Sequence, residues 1–310
     1  MSKKLATEWI TWLTEVRRLR GATLDAYGRT ITVFVEAHDI KKVTAGDVEA
    51  FMRRPRSRNG VGSPATQDRD RVVVSQFYEW LVARGHVKQN PCLNVGVPKV
   101  RNRQPKAVDD DVWVTLWSSD LHREDRVWLG LAAFAGLRRR EIVSVTPQNF
   151  DLQSCSIQHM VRKGGSTSSV EYGEMARTIA DVLPHLLPDP DAWLADVEWL
   201  VNNRIERNAA ILVPFNKPAS ELTRFRMSLD DENAPDPAVI NKRLRRLLSR
   251  SGLSETAFSP HALRHTCATN LMRCGVPLEI TADLLSHSSI ETTRRYLQTA
   301  GALHQWRTRR

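Results

Sequence analysis

The sequence predicts a mainly α-helical protein with one small β-hairpin, arranged in two domains. Three observations carry that expectation. Apolar residues recur every three to four positions in several stretches, the period of a helix with one buried face. Two short runs, Ser154–Val161 and Thr167–Tyr172, are joined through Lys163-Gly164-Gly165, as the arms of a hairpin would be. The stretch from Asn90-Pro91 to Gln104-Pro105 carries three prolines together with Lys99, Arg101 and Arg103, which suits an extended basic linker. The expected division is residues 1–100, a linker over 101–107, and residues 108–310.

The first block reads as helices in succession. Trp9, Leu13, Val16 and Leu19 fall on one face of a first helix. A second follows Gly21, with Tyr27, Ile31 and Phe34 together. Val43 to Asp47 looks like a turn and cap before a short helix over Val48–Met52. Val73, Phe77, Trp80 and Leu81 form the clearest stripe, which stops at Arg84-Gly85. Between the last two lies a basic loop, Arg53 to Gly60, holding Arg53, Arg54, Arg56 and Arg58.

In the second block Val127–Ala135 reads as a buried helix broken at Gly136. Ala238–Ser249 is amphipathic, with Val239, Ile240, Leu244, Leu247 and Leu248 opposed by Lys242, Arg243, Arg245 and Arg246. Ser259-Pro260 predicts a helix start, a capping hydroxyl followed by a first-turn proline. Ser288 and Glu291 suggest a capping box for a last helix running through Tyr296.

Charge narrows the function. Lys and Arg total 45 against 35 Asp and Glu, a formal net charge of +10, which favours a polyanionic partner, above all nucleic acid. Residues 1–100 hold 17 basic and 10 acidic side chains, whereas 181–236 hold 11 acidic and 5 basic. That acidic segment reads as a surface insert facing away from phosphates. The longest apolar run, Val127–Leu137, is too short to span a bilayer, and Met1–Glu8 lacks the apolar stretch of a signal peptide. Cys92, Cys155, Cys267 and Cys274 are scattered without metal-site spacing, so they read as reduced thiols of a cytoplasmic protein, with no metal and no cofactor expected.

Three short segments carry chemistry. His261-Ala262-Leu263-Arg264 puts an imidazole and a guanidinium on one face of the first helical turns, a pairing suited to a phosphate. Taken alone, such a pair is an ordinary surface turn. Gly136-Leu137-Arg138-Arg139-Arg140-Glu141 follows a buried helix with an arginine and, three residues on, a carboxylate that can hold it in place. Leu284-Leu285-Ser286-His287 precedes Tyr296 by nine residues from the histidine. In order and with fitting local structure, the segments weigh more together than singly.

These segments resemble the signature of the tyrosine recombinase family, the phage integrase and Xer-type enzymes. "GLRRREI" is similar to the family's first-arginine motif, "HALRHTCATNL" to its His-x-x-Arg motif, and "LLSHSSIETTRRYL" to its closing His-to-Tyr motif. The first block resembles the family's helical, SAM-like core-binding domain. The chain begins directly in those helices, so a minimal form without an arm-binding domain is expected. The resemblance implies a C-shaped clamp on double-stranded DNA, with Tyr296 as nucleophile and Arg138 and Arg264 as phosphate clamps. It further implies His261 as acceptor of the tyrosine proton or positioner of the phosphate, His287 as a phosphate ligand that also supports the tyrosine, Lys163 as general acid and Glu141 as support for Arg138. Neither metal nor ATP is implied. Here the hairpin lacks the second basic residue common after the lysine, and Ser286 stands where glycine is usual. Arg53, Arg54, Arg56, Arg58, Lys99, Arg101, Arg103, Lys106, Lys242 and Arg243 are the candidate DNA contacts. The expected assembly is a monomer or weak oligomer that forms a homotetramer on DNA, with a possible accessory directionality factor and no membrane. Integration or excision of a phage or mobile element is the leading function. Xer-like dimer resolution, a type IB topoisomerase or telomere resolvase, and an inactive DNA-binding regulator are the alternatives.

Overall fold

A computed structural model describes residues 2–19, 21–56, 60–97, 106–161, 167–203 and 237–286. The chain separates into two compact units, Met1–Arg103 and Gln104–Arg310.

The first unit is helical. Helices α1 (Ser2–Glu15), α2 (Gly21–Ala37), α3 (Ala45–Met52) and α4 (Pro64–Ala83) are followed by a 3-10 turn at Pro91–Asn94. α3 starts at Ala45, three residues before the expected Val48, because Thr44 caps the helix through its side chain and the Asp47 carboxylate accepts back from the Thr44 amide, a reciprocal capping box. α4 starts on Ser63 with Pro64 in its first turn. Trp9, Ile31, Phe34, Val73, Phe77 and Leu81 are fully buried, and Trp9 meets Phe77 edge to face at 5.4 Å. The Tyr78 hydroxyl donates to the Ile40 carbonyl at 2.9 Å.

The first helix is shorter than its apolar stripe. It ends at Glu15, and Val16 is 62% exposed. Arg18 adopts φ +52° and turns the chain, while the Leu19 amide donates to the Leu13 carbonyl at 2.9 Å. Leu19 therefore packs on the core from a turn.

The second unit holds α5 (Asp110–Trp117), α6 (Arg123–Ala133), α7 (Arg139–Ile142), a 3-10 turn at Pro147–Asn149, β1 (Phe150–Asp151), β2 (Ser156–Val161), β3 (Thr167–Val170), α8 (Tyr172–Val182), α9 (Pro190–Asn202), α10 (Ala238–Arg250), α11 (Pro260–Arg273) and α12 (Leu278–Leu284). The three strands form one antiparallel sheet in the order β1-β2-β3, with Ile157 opposite Val170 and Val161 opposite Thr167. β1 is an addition to the expected hairpin. The second arm is shorter than expected because Tyr172 begins α8 and is buried there.

An aromatic cluster fills the core. Trp113 stacks on Trp117 at 5.1 Å, both meet Phe134 edge to face, and Phe134 meets Trp193 at 5.7 Å. Trp193 belongs to α9, within the acidic segment 181–236. That corrects the surface reading for its described part. α9 buries Trp193, Val197, Leu200 and Val201 at helical spacing, with Asp191 and Glu198 exposed and Asp196 half-buried against Arg123 and Arg126. Its contact with α6 is so close that a Cβ on Gly130 would lie 2.2 Å from the Trp193 indole nitrogen. Residues 204–236 lie outside the described part.

Among the described residues no helix is long and apolar enough to cross a membrane. The thiols of Cys92 and Cys267 are buried, and burial pushes both up to about 12.

Candidate active site

Two turns and the start of one helix build the site. α6 runs out of helical room at Gly136, which adopts φ +64°, and the chain then re-enters helix at α7 with Arg138 at its cap. α11 starts at Ser259-Pro260 as expected, although the Ser259 side chain makes no capping hydrogen bond. α12 ends at Leu284, and Ser286 leaves it at φ +47°.

These elements gather two arginines around one carboxylate. Arg138 Nη1 donates to Glu141 Oε1 at 2.8 Å, and the Arg138 amide donates to Oε2 at 2.6 Å. Glu141 thus fixes both the backbone and the guanidinium of Arg138, the supporting role its spacing suggests. Arg138 Nη2 also donates to the Ser286 carbonyl at 3.2 Å. Arg264 reaches the same cluster from α11. Its Nη1 donates to the Gly136 carbonyl and its Nη2 to the Leu285 carbonyl, while Glu141 Oε2 lies 3.9 Å from Nη1. The side chains of Arg264 and Glu141 are each 3% exposed, whereas that of Arg138 is 31% exposed.

His261 shares the α11 start with Arg264 and reaches solvent. Desolvation, and then the charges of Arg264, Arg138 and Arg139, hold its pKa below the ordinary 6.5. Near neutral pH the ring is uncharged and able to take a proton. Its neighbour His265 meets it edge to face at 4.2 Å.

Tyr172 is one of the two tyrosines of this unit. That residue is 1% exposed in the core of the second unit, and burial raises its pKa strongly. The other tyrosine of this unit, Tyr296, lies outside the described residues, as do His287 and Lys163. β2 and β3 pair up to Val161 and Thr167, the residues on either side of the segment that holds Lys163.

The candidate DNA contacts fall into three groups. Arg58, Lys99, Arg101 and Arg103 lie outside the described residues. Arg53, Lys106 and Lys242 are exposed, with Arg53 paired to Glu49 at 3.2 Å and Lys106 to Asp109 at 3.3 Å. Arg54, Arg56 and Arg243 are turned to acids within their own units. Arg54 and Arg56 both bond the buried Asp70, and Arg243 pairs with Asp125 at 2.9 Å and Glu124 at 3.1 Å. Among the described residues, no three His, Cys, Asp or Glu side chains converge as metal ligands would.

The sequence reading missed the carbonyls of Gly136, Leu285 and Ser286 as partners of the arginines. A backbone acceptor leaves no mark in side-chain pattern. The one signal available is the break at Gly136, whose φ and lack of room for a Cβ both require glycine.

The profile of the Phage integrase family matches residues 115–302, and that of the phage integrase N-terminal SAM-like domain matches 6–86. Tyrosine recombinase XerD of Listeria monocytogenes is 26% identical over 304 residues, covering 94% of this chain and 93% of the relative. Tyrosine recombinase XerC of Rhizobium meliloti is 26% identical over 312 residues, covering 93% and 86%. Among solved structures, the fold is similar to a lambda integrase tetramer bound to a Holliday junction, with TM-score 0.66 and 15% identity over 93% of this chain and 77% of that one. It is also similar to XerH bound to a palindromic difH substrate, with TM-score 0.59 and 14% identity over 98% and 84%. With family profiles matching both of its units, the chain belongs to the phage integrase family, the tyrosine recombinases, which cut and rejoin DNA.

Proposed function

We propose that the protein is a site-specific recombinase acting on double-stranded DNA through a covalent 3′-phosphotyrosine. The observation that carries the reading is the convergence of Arg138 and Arg264 on Glu141, with His261 at the same helix start. In the proposed step the phenolic oxygen of Tyr296 bonds to a backbone phosphorus and the bond from phosphorus to the 5′ oxygen breaks. The phenol's proton passes to His261, and Lys163 gives a proton to the leaving 5′ oxygen. Arg138, Arg264 and His287 bind the non-bridging oxygens and offset the charge that grows on them. Rejoining runs the same steps backwards, because the phosphotyrosine keeps the bond energy. No metal or ATP enters.

By likeness to the junction-bound integrase tetramer, four protomers would act on two DNA sites through a Holliday junction, in the cytoplasm of a bacterial or phage-infected cell. Integration or excision of a mobile element is the function we favour, with direction set by an accessory factor. Xer-like resolution is the second reading, supported by relatives named XerD and XerC that match along nearly the whole chain.

A nicked suicide substrate carrying the specific site tests the chemistry. The wild type should accumulate a covalent protein–DNA adduct, and Tyr296→Phe should form none. Absence of the adduct in both would leave a DNA-binding regulator. Supplying two sites then separates a recombinase from a topoisomerase: relaxation of supercoils without recombinant products would overturn strand exchange.

A further inference from the structure

Arg264 joins two turns that are far apart in sequence. Its two terminal nitrogens bond the carbonyls of Gly136 and Leu285, and the next carbonyl, that of Ser286, accepts from Arg138 at 3.2 Å. Side-chain packing locks the same two turns together. A Cβ on Gly136 would lie 2.2 Å from Leu285 Cδ2 and 3.2 Å from Cys267 Sγ, so glycine is needed for space as well as for φ. Gly136 stands two residues before Arg138, and Ser286 stands directly before His287.

Ser286 holds this turn in a backbone conformation that suits it poorly. Its φ of +47° is left-handed, and a residue with a Cβ stays there only when its surroundings impose it. The surroundings here are the Ser286 amide donating to the Asp283 carbonyl at 2.8 Å and the two guanidiniums on the carbonyls of Leu285 and Ser286. Returned to the ordinary helical region, residue 286 would swing its carbonyl away from Arg138 and carry the following chain in a new direction.

We propose, building on the recombinase reading, that the Leu285–Ser286 turn is a positioning element for the phosphate clamp, and that the left-handed backbone at Ser286 is what aligns Arg138 and Arg264 for cleavage. The backbone of residue 286 does this, and its hydroxyl is not required. The competence of both arginines is thereby tied to the direction in which the chain enters the segment bearing His287 and Tyr296.

The test is a graded series at one position in the full-length protein: Ser286→Gly, Ser286→Asn, Ser286→Ala and Ser286→Val. Single-turnover cleavage of the suicide substrate is measured at saturating protein, beside the dissociation constant for the same duplex. Cleavage should rank by tolerance of the left-handed region, with Gly at least as fast as Ser and Asn close to it. Ala should be several-fold slower and Val slower by about tenfold or more. Duplex affinity should stay within about threefold throughout, because the turn aligns the clamp and does not supply the grip. A flat ranking, or cleavage falling only in step with affinity, overturns the proposal. If Ser286→Val does not fold, Ser286→Ala against Ser286→Gly decides the question. Failure of the recombinase reading looks different, since the wild type itself would then yield no adduct.

Discussion

Asp70 in the first unit and Glu141 in the second are both buried carboxylates with two arginines against them, their side chains 0% and 3% exposed; a third arginine, Arg69, lies 4.0 Å from Asp70 Oδ1. Asp70 collects both cations on one oxygen: Arg54 Nη1 bonds Oδ2 at 2.6 Å, and Arg56 Nη2 bonds the same atom. Arg54 also lies 3.6 Å over the Phe51 ring and donates to the Phe51 carbonyl, while the Arg56 amide closes the loop onto the Gly60 carbonyl. The arginines of this cluster are absorbed into holding a loop base. Glu141 gives both of its oxygens to Arg138, while Arg264 bonds two neutral carbonyls and has Glu141 Oε2 3.9 Å away. Carbonyl acceptors fix a guanidinium in place without adding a further negative charge beside it. Desolvation first, and then the charges of Arg264, Arg138 and Arg139, depress the pKa of His261. An arginine in such a cluster becomes a tool or a strut according to what holds it.

The sharpest way to break the contrast is to remove one arginine from each side. Arg138→Ala or Arg264→Ala should slow cleavage by on the order of 10² or more while duplex affinity changes little, as loss of a transition-state contact does. Arg54→Ala should leave the cleavage rate of the folded enzyme unchanged. If affinity collapses together with cleavage in the catalytic-unit variants, those arginines grip DNA and the contrast fails.

A second large effect belongs to stability. Asp70→Ala strands two partly buried guanidiniums beside one another and should cost about 3–5 kcal/mol, read as a lower thermal midpoint for the first unit. A variant as stable as wild type would mean that the loop base is held by its backbone alone.

The pH dependence sharpens the comparison further. His261 is lowered below 6.5 by desolvation and by its arginine neighbours, so it binds fewer protons folded than unfolded in the window just below that value. Stability from this group is therefore complete above 6.5 and is lost as pH falls through the window. Cleavage should decline on the acidic side as the ring takes a proton, with a midpoint below 6.5, and Arg138→Ala should move that midpoint upward. A midpoint unmoved by Arg138→Ala would separate the histidine from the clamp. The smallest effect is expected at Arg53, whose side chain is 68% exposed in an i,i+4 pair with Glu49: Arg53→Ala should shift stability by about 0.5 kcal/mol or less.

Much of this architecture is legible in the residues. The Thr44–Asp47 cap, the break at Gly136 and the proline start of α11 are local events, and local chemistry predicts them. The spacing from Arg138 to Glu141 was enough to pair them, because three residues of helix suffice to do so. What escaped the sequence depends on distant partners. Nothing near Arg243 reveals that Glu124 and Asp125 await it more than a hundred residues upstream. The apolar positions of α9 are visible at helical spacing, and the acidic composition of the segment alone hid them. The stripe through Val16 and Leu19 overran its helix because a left-handed Arg18 can return Leu19 to the core without a helical turn.

Gly130 gives the acid-rich segment an unexpected importance. Bare backbone is all that α6 can present to the Trp193 indole, so the two helices meet at a fixed height. From Gly130 to Ala133, the last residue of α6, is about 4.5 Å along a helix at 1.5 Å per residue, and Gly136 follows three residues later. The loop that delivers Arg138 is thus surveyed from a benchmark on α9. The stretch whose composition looked most foreign to a DNA enzyme serves as the reference against which its reactive corner is levelled.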